Sequence, residues 1–369
     1  MTANIPPRGD LTSLATALAA LLDNVEPLDP TARSLSESKG LIVAEMPPLA
    51  MPRPALSYAL SDGWALNSID IIGASSYAPV LTSPPHWIEA GQSLPKTTDC
   101  ILDPELVTRN GPLAEVLAEA IPGQGTRRAG EDIAAGSSLL AAGQPIQRLH
   151  IPVLHIAGVT QVPVRAPRLH LINVAAPDGT GLSEQFIRIL AEADGALVSC
   201  ETASRDVQAI TAAVRNADAE IIVLIGGTGR GQTDHTVEAL AGFTPIVHGL
   251  AIRPGETAAL ARRGDTPIIA LPGLPDQAIG ACLLLLRPLI DRLTGRALRQ
   301  GETRPLAQKI ASRIGFVEIA LLKQKESMWK VLSVGNIPLG LLVQAEAWLA
   351  LPAESEGFPA HDLVEAFPL

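Results

Sequence analysis

IIVLIGGTGRGQTDHTVEAL, residues Ile221–Leu240, decides how the rest of this chain is read. Ile221–Ile225 is apolar at every position and reads as a buried strand. Gly226, Gly227, Gly229 and Gly231 follow at once, Asp234 closes the loop, and His235–Leu240 reads as the start of a helix. Strand, glycine-rich loop and helix together make an anion site. Without Cβ atoms in the way, backbone N–H groups can approach a phosphate, and a helix N-terminus adds a favourable dipole. A carboxylate such as Asp234 would not bind phosphate directly. It suits a Mg²⁺ bridging to phosphates, or a hydroxyl or amino group on the ligand. The same pattern also serves as a tight turn with no ligand.

Working outward, Leu169–Val174 predicts a strand and Ser183–Ala193 a helix with Phe186, Ile187 and Leu190 on one face. Ala196–Cys200 predicts a strand, and Asp206–Arg215 a helix turning Val207, Ile210 and Val214 inward. Pro267–Leu271 predicts a further strand, and Asp276–Leu286 a helix with Pro288 just beyond it. This alternation implies a parallel α/β sheet with helices on both faces. Ligands in such sheets sit beyond the carboxyl ends of the strands. The loop after Ile225 and the Pro272–Pro275 turn both fall there.

Toward the N-terminus, Leu11–Val43 reads as helical, with Asp10 or Thr12 as its cap. Residues 55–130 are rich in Pro, Gly, Ser and Thr with short apolar runs, which suits a small β-domain. Leu149–Val164 holds a helical pattern and then an extended stretch. From about residue 310, runs such as Phe316–Leu322 and Trp348–Leu351, separated by Gly335, Pro338, Pro352 and Gly357, predict a small closed β-domain.

The chain has 369 residues, is 47% hydrophobic and 18% charged, and so can form substantial cores. Its net charge of −10 disfavours nucleic acid and anionic membrane as partners, and any phosphate must be held locally against that field. Cys100, Cys200 and Cys282 are far apart and His150 and His155 do not share a helix face, so no metal cluster is visible. The Leu11–Leu22 run lacks a basic flank and is too short to span a bilayer. A cytoplasmic protein with reduced thiols is expected.

Several polar motifs fall at expected loops: SDGWA at Ser61–Ala65, RRAGEDI at Arg127–Ile133, Arg205-Asp206, IGGTGRGQTD at Ile225–Asp234, LAIRPGET at Leu250–Thr257 and LPGLP at Leu271–Pro275. Each alone has a local explanation as a turn or a solvated face. In this order, over nearly the whole chain, they resemble the molybdopterin molybdotransferase family (MoeA and the E domain of gephyrin). The tail Ala350–Glu365 is similar to the family's final β-domain. The resemblance implies α/β plus β architecture in four parts. An N-terminal linker domain would span 8–46 and 131–166, a small β-domain 47–130, a MogA-like parallel α/β domain 167–298, and a C-terminal β-barrel-like domain 299–369. It also implies a homodimer that inserts molybdate into adenylylated molybdopterin with Mg²⁺ and releases AMP. Molybdoenzymes or other cofactor-assembly proteins would be its partners.

Carried over residue by residue, Asp62, Asp132 and Asp178 would be catalytic. Asp206 and Asp234 would hold metal. Gly226, Gly227, Thr228, Gly229, Asp234, Arg253, Pro254, Gly255, Pro272 and Gly273 would bind substrate, with Arg253 standing where the family has a Lys. Asp62 and Asp132 would reach the cleft only across the dimer.

The departures fall on chemical positions. A family Glu is Gly179, a family Lys is Glu256, the Pro after it is Thr257, the Asn of the LPGNP-like turn is Leu274, and the first Ser of the glycine loop is Ile225. The family's D-N-S-A is replaced by Ser57–Leu60. Lys to Glu turns attraction for molybdate into repulsion. A second function therefore stands beside the first: a pterin-nucleotide-binding carrier or assembly factor that does not insert metal. A third is adenylyl transfer, since GGTG at Gly226–Gly229 is similar to the MogA-type loop; the full-length architecture argues against it.

Overall fold

The two strands expected to carry the cleft, ending at Ile225 and Leu271, end level with each other and with their neighbour Arg168–Val174. In the computed structural model, which describes residues 11–176 and 182–369, Asn173 lies opposite Ile225, and Ile225 opposite Leu271. Their following loops therefore leave the sheet along one edge.

Two compact units divide the chain. One comprises the described residues up to Glu45, with Ala142–Gln147 and Val162–Leu369; the other comprises Met46–Ala141 and Arg148–Gln161. At the centre of the first lies a six-stranded sheet. Its strands run side by side as Leu197–Ala203, Arg168–Val174, Ile221–Ile225, Thr266–Leu271, Ala259–Arg263 and Thr244–His248. The first four are parallel, as expected; the last two are antiparallel, so the sheet is mixed. Gly264, at φ 59°, turns Ala259–Arg263 tightly back into Thr266–Leu271, a link too short for a parallel crossover.

Alternate residues of Ile221–Ile225 enter two cores. Ile221, Val223 and Ile225 pack with Ile187 and Ala191 of the helix Leu182–Ala193 on one face. Ile222 and Leu224 pack with Ile210 and Val214 of the helix Val207–Asn216 on the other. A strand buried on both faces must be apolar at every position, which is why this one was legible.

Two elements differ from expectation. Of the Leu11–Val43 stretch Leu14–Leu22 is α-helical, capped by Ser13, whose hydroxyl accepts from the Thr16 N–H at 3.1 Å, and Leu35–Glu37 adds one 3-10 turn. Pro27 and Pro30 prevent continuation, and Thr31–Ser34 and Ile42–Val43 instead flank Gln161–Arg165 in a three-stranded sheet. The helix at Pro275 does not stop before Pro288. It runs through Ala281, widens into a π turn over Cys282–Leu286 and resumes as Arg287–Thr294. The wide turn absorbs the hydrogen bond that Pro288 cannot donate.

The last strands of this unit lie in the order Met328–Val334, Val317–Lys325, Ala347–Leu351, Leu363–Pro368, Glu302–Pro305. Leu306 then bridges to Trp329, bringing the two edges of that sheet together around Leu322, Leu351 and Val364. In the second unit, Gly63–Leu66 runs between His86–Ile88 and Cys100–Leu102, and Leu113–Val116 between Val80–Thr82 and Val107–Asn110, all antiparallel. No helix among the described residues is long and apolar enough to cross a membrane.

Candidate functional site

Along the level carboxyl edge of the central sheet lies a cleft of about 590 Å³, lined wholly by residues of the first unit. Gly226, Gly227, Thr228 and Gly229 form one wall and Pro272, Gly273, Leu274 and Pro275 another. The Gly226 N–H donates to the Leu271 carbonyl at 2.9 Å, and the chain then reverses through φ of 98° at Gly226 and 69° at Gly227. A Cβ on Gly227 would lie 2.5 Å from Thr236 Oγ1, so the glycine is required by both conformation and space. Thr236 Oγ1 donates to the Gly226 carbonyl at 2.6 Å and locks the fold-back. The amides of Gly227, Thr228 and Gly229 make no hydrogen bond with any described residue.

Thr236–Leu240 is a helix of only 5 residues, so the dipole expected from it is small. Two longer helices begin at the cleft instead. Leu182 and Ser183 open one; Pro275 and Gln277 lie at the start of the other. Ser183 Oγ donates to the Gly273 carbonyl at 2.7 Å, fixing the second wall. Gly273 faces Gly226 so closely that a Cβ on it would be 3.3 Å from the Gly226 Cα.

Asp234 and Arg205 both line the cleft and are ion-paired to each other. The other Asp234 oxygen, Oδ2, accepts from the Gly231 N–H at 2.9 Å. Arg205 also donates through Nε to the Thr233 carbonyl at 2.7 Å and through an η nitrogen to the Ala175 carbonyl at 3.3 Å. One guanidinium thus ties together the loops after two adjacent strands. Thr257, in the place of a family Pro, meets Thr228 with their hydroxyls 3.1 Å apart. Behind Thr228, His248 Nε2 lies 3.2 Å from its carbonyl, and burial, then nearby Arg230, pushes that imidazole's pKa below its ordinary value.

Asp206 is not among the cleft-lining residues. It caps the helix Val207–Asn216, with one oxygen accepting from the Ala209 N–H at 2.8 Å and the other from Ser204 Oγ at 2.6 Å. Those bonds, the Ser204 hydroxyl's first, hold its carboxyl below the usual range. Arg253, Pro254 and Gly255 do not line the cleft either. Arg253 donates to the buried Glu318 at 2.9 Å and lies 3.8 Å from Glu256, so its charge is already met. Asp62 and Asp132 belong to the second unit. Asp62 accepts from the Ala90 N–H at 2.8 Å, and Asp132 lies 3.4 Å from Arg127. Asp178 lies outside the described residues.

Among the described residues no group of three or more His, Cys, Asp or Glu side chains is arranged to hold a metal ion. Asp234 is held by the Arg205 guanidinium and Asp206 lies outside the cleft lining, so among the described residues no pair of carboxylates is placed to hold Mg²⁺. In the sequence Arg205 stands out only within the dipeptide Arg205-Asp206 and Ser183 only as a helix start, while Glu318 carries no motif. A charged residue within the apolar strand Val317–Lys325 was the available signal for Glu318.

Comparison with known proteins places these features in context. Residues 12–158 match the family model described as MoeA N-terminal region (domain I and II), and residues 183–292 match the probable molybdopterin binding domain. Molybdopterin molybdenumtransferase 2 of Mycobacterium tuberculosis is 26% identical over 302 residues, covering 71% of this chain and 74% of that protein. Molybdopterin molybdenumtransferase 1 of the same organism is 22% identical, with 90% and 93% covered. The crystal structure of a molybdopterin biosynthesis moeA protein from Pyrococcus horikoshii shares the fold: TM-score 0.74, 21% identity, 98% of this chain and 100% of that one.

Proposed function

This chain belongs to the MoeA family, and from that premise we propose that it acts in molybdenum cofactor biosynthesis, binding adenylylated molybdopterin by its phosphates in the cleft of the first unit. One observation carries the reading. Gly227, Thr228 and Gly229, whose amides have no hydrogen-bond partner among the described residues, line the same cleft as Arg205, at the carboxyl edge of a sheet. Amides and a guanidinium are what a pyrophosphate-linked nucleotide requires.

The reaction in this reading is insertion of molybdate into the dithiolene with release of AMP, by a homodimer that serves molybdoenzymes or other cofactor-assembly proteins. Asp62, Asp132 and Asp178 remain its catalytic candidates, and the four-part division of the chain belongs to the same reading. The chain's own residues bind and orient the phosphates. No step is assigned to Mg²⁺, because the described carboxylates do not come together as a donor set for it.

A second reading, a carrier that holds the pterin nucleotide without inserting metal, is favoured by the ion pairs of Arg253. With Glu318 and Glu256 beside it, that cation offers little to an oxyanion. The two readings separate in one experiment. Purified protein receives adenylylated molybdopterin and molybdate, and AMP release and reconstitution of an apo-molybdoenzyme are both followed. AMP with active cofactor supports the transferase; tight binding without AMP supports the carrier. Failure to bind molybdopterin in either form overturns both.

A further inference from the structure

The cation of the cleft is a side chain. Arg205 lines it with its guanidinium largely buried, at 20% exposure, and Asp234 is more buried still at 14%. A guanidinium carries five N–H donors, and among the described residues this one makes three contacts, to Thr233, Ala175 and Asp234. Its planar fork suits phosphate oxygens. A divalent ion at Asp234 would have to displace Arg205 or sit beside it, and like charges in a partly buried cleft oppose that. Asp206, engaged as a helix cap, supplies no second ligand.

We infer that the cleft binds the phosphates of its ligand without a divalent metal, with Arg205 as the cation and Asp234 as the residue that positions Arg205. This rests on the proposed reading of the cleft as a nucleotide-phosphate site. Asp234 has the geometry of a positioning residue. Oδ1 holds the guanidinium, while Oδ2, through the Gly231 N–H, ties the pair to the glycine loop. A Cβ on Gly229 would lie 2.6 Å from Asp234 Oδ2, so the glycine makes room for this carboxylate.

The test is calorimetric titration of the full chain with ADP, a probe that carries adenosine and a pyrophosphate, in Mg²⁺ and in EDTA. The dissociation constants are expected to agree within about twofold, and Arg205→Gln to weaken both by about tenfold or more. Because Arg205 also braces two loops, Arg205→Lys and Asp234→Asn are measured beside it. Lys is expected to recover part of the loss. Asp234→Asn, which keeps the side chain's size but loosens its hold on Arg205, is expected to weaken ADP binding by the same factor in Mg²⁺ and in EDTA, and unchanged affinity in both would remove Asp234 as the positioning residue. Binding that needs Mg²⁺, or a loss in Asp234→Asn seen only with Mg²⁺, overturns the inference and leaves the nucleotide reading standing. No ADP binding in either buffer overturns the nucleotide reading itself, and the inference with it.

Discussion

His248 supports the cleft through one ring nitrogen. Facing the Thr228 carbonyl at 3.2 Å, Nε2 must carry its proton as a donor, and burial keeps the ring neutral below the ordinary histidine value of 6.5. The unfolded chain therefore takes up a proton before the folded one does. Stability from this residue is full above pH 6.5 and is lost as pH falls from there toward the lower folded value. Urea unfolding followed from neutral pH to pH 5 is expected to show a shallower acid loss in His248→Gln than in the parent; equal slopes would remove His248 as the titrating group. Glu256 makes a second prediction. Its carboxylate lies 3.8 Å from Arg253 and both side chains are about a third exposed, so its field is partly screened. Glu256→Lys is expected to raise molybdate affinity by about tenfold, measured by equilibrium dialysis. An unchanged affinity would mean that this charge does not decide oxyanion binding.

Elements were legible where local pattern and final environment agreed. Ile221–Ile225 had to be a strand buried on both faces, and Asp206, two hydrogen bonds deep in its cap, was a fitting helix start. Ala259–Arg263 was not read as a strand, because its Ala-rich sequence favours helix. It pairs on both sides, with Thr244–His248 and Thr266–Leu271, and that burial overrides the local preference. The long helix through Pro288 was missed for the opposite reason: a proline that usually ends a helix is accommodated by the π turn ahead of it. This helix also carries a test. A Cβ on Gly280 would fall 2.5 Å from the Pro254 carbonyl oxygen, a backbone atom with little room to yield. Gly280→Ala is expected to cost about 1–3 kcal/mol in chemical denaturation by separating the helix from the Arg253–Gly255 turn; a cost near zero would show that the turn moves freely.

At the scale of the molecule, the two units hold separate cores. Leu171, Leu224 and Ile269 belong to the first, and Ile71, Leu102 and Val116 to the second. Calorimetry is expected to show unfolding that departs from two-state behaviour. Asp194 distinguishes the transitions. Buried in the first unit, it accepts from Arg287 at 2.9 Å and Arg299 at 2.7 Å, while Arg287 also lies over the Trp348 ring at 5.8 Å. Asp194→Asn leaves a buried guanidinium without its counter-charge and is expected to cost about 3–5 kcal/mol. The loss should appear in one transition only; a parallel shift in both would mean that the units unfold together.

The sequence by itself determined the glycine-rich loop and its place at a strand end. Those features depend on apolar runs and glycines, whose constraints are local to the backbone. It also determined the family, because six short motifs kept their order. Only the tertiary structure decided which charges are free. Arg205 meets Asp234 and Arg253 meets Glu318 across separations of 29 and 65 residues. The field at a site is the sum over neighbours that chain order does not bring together.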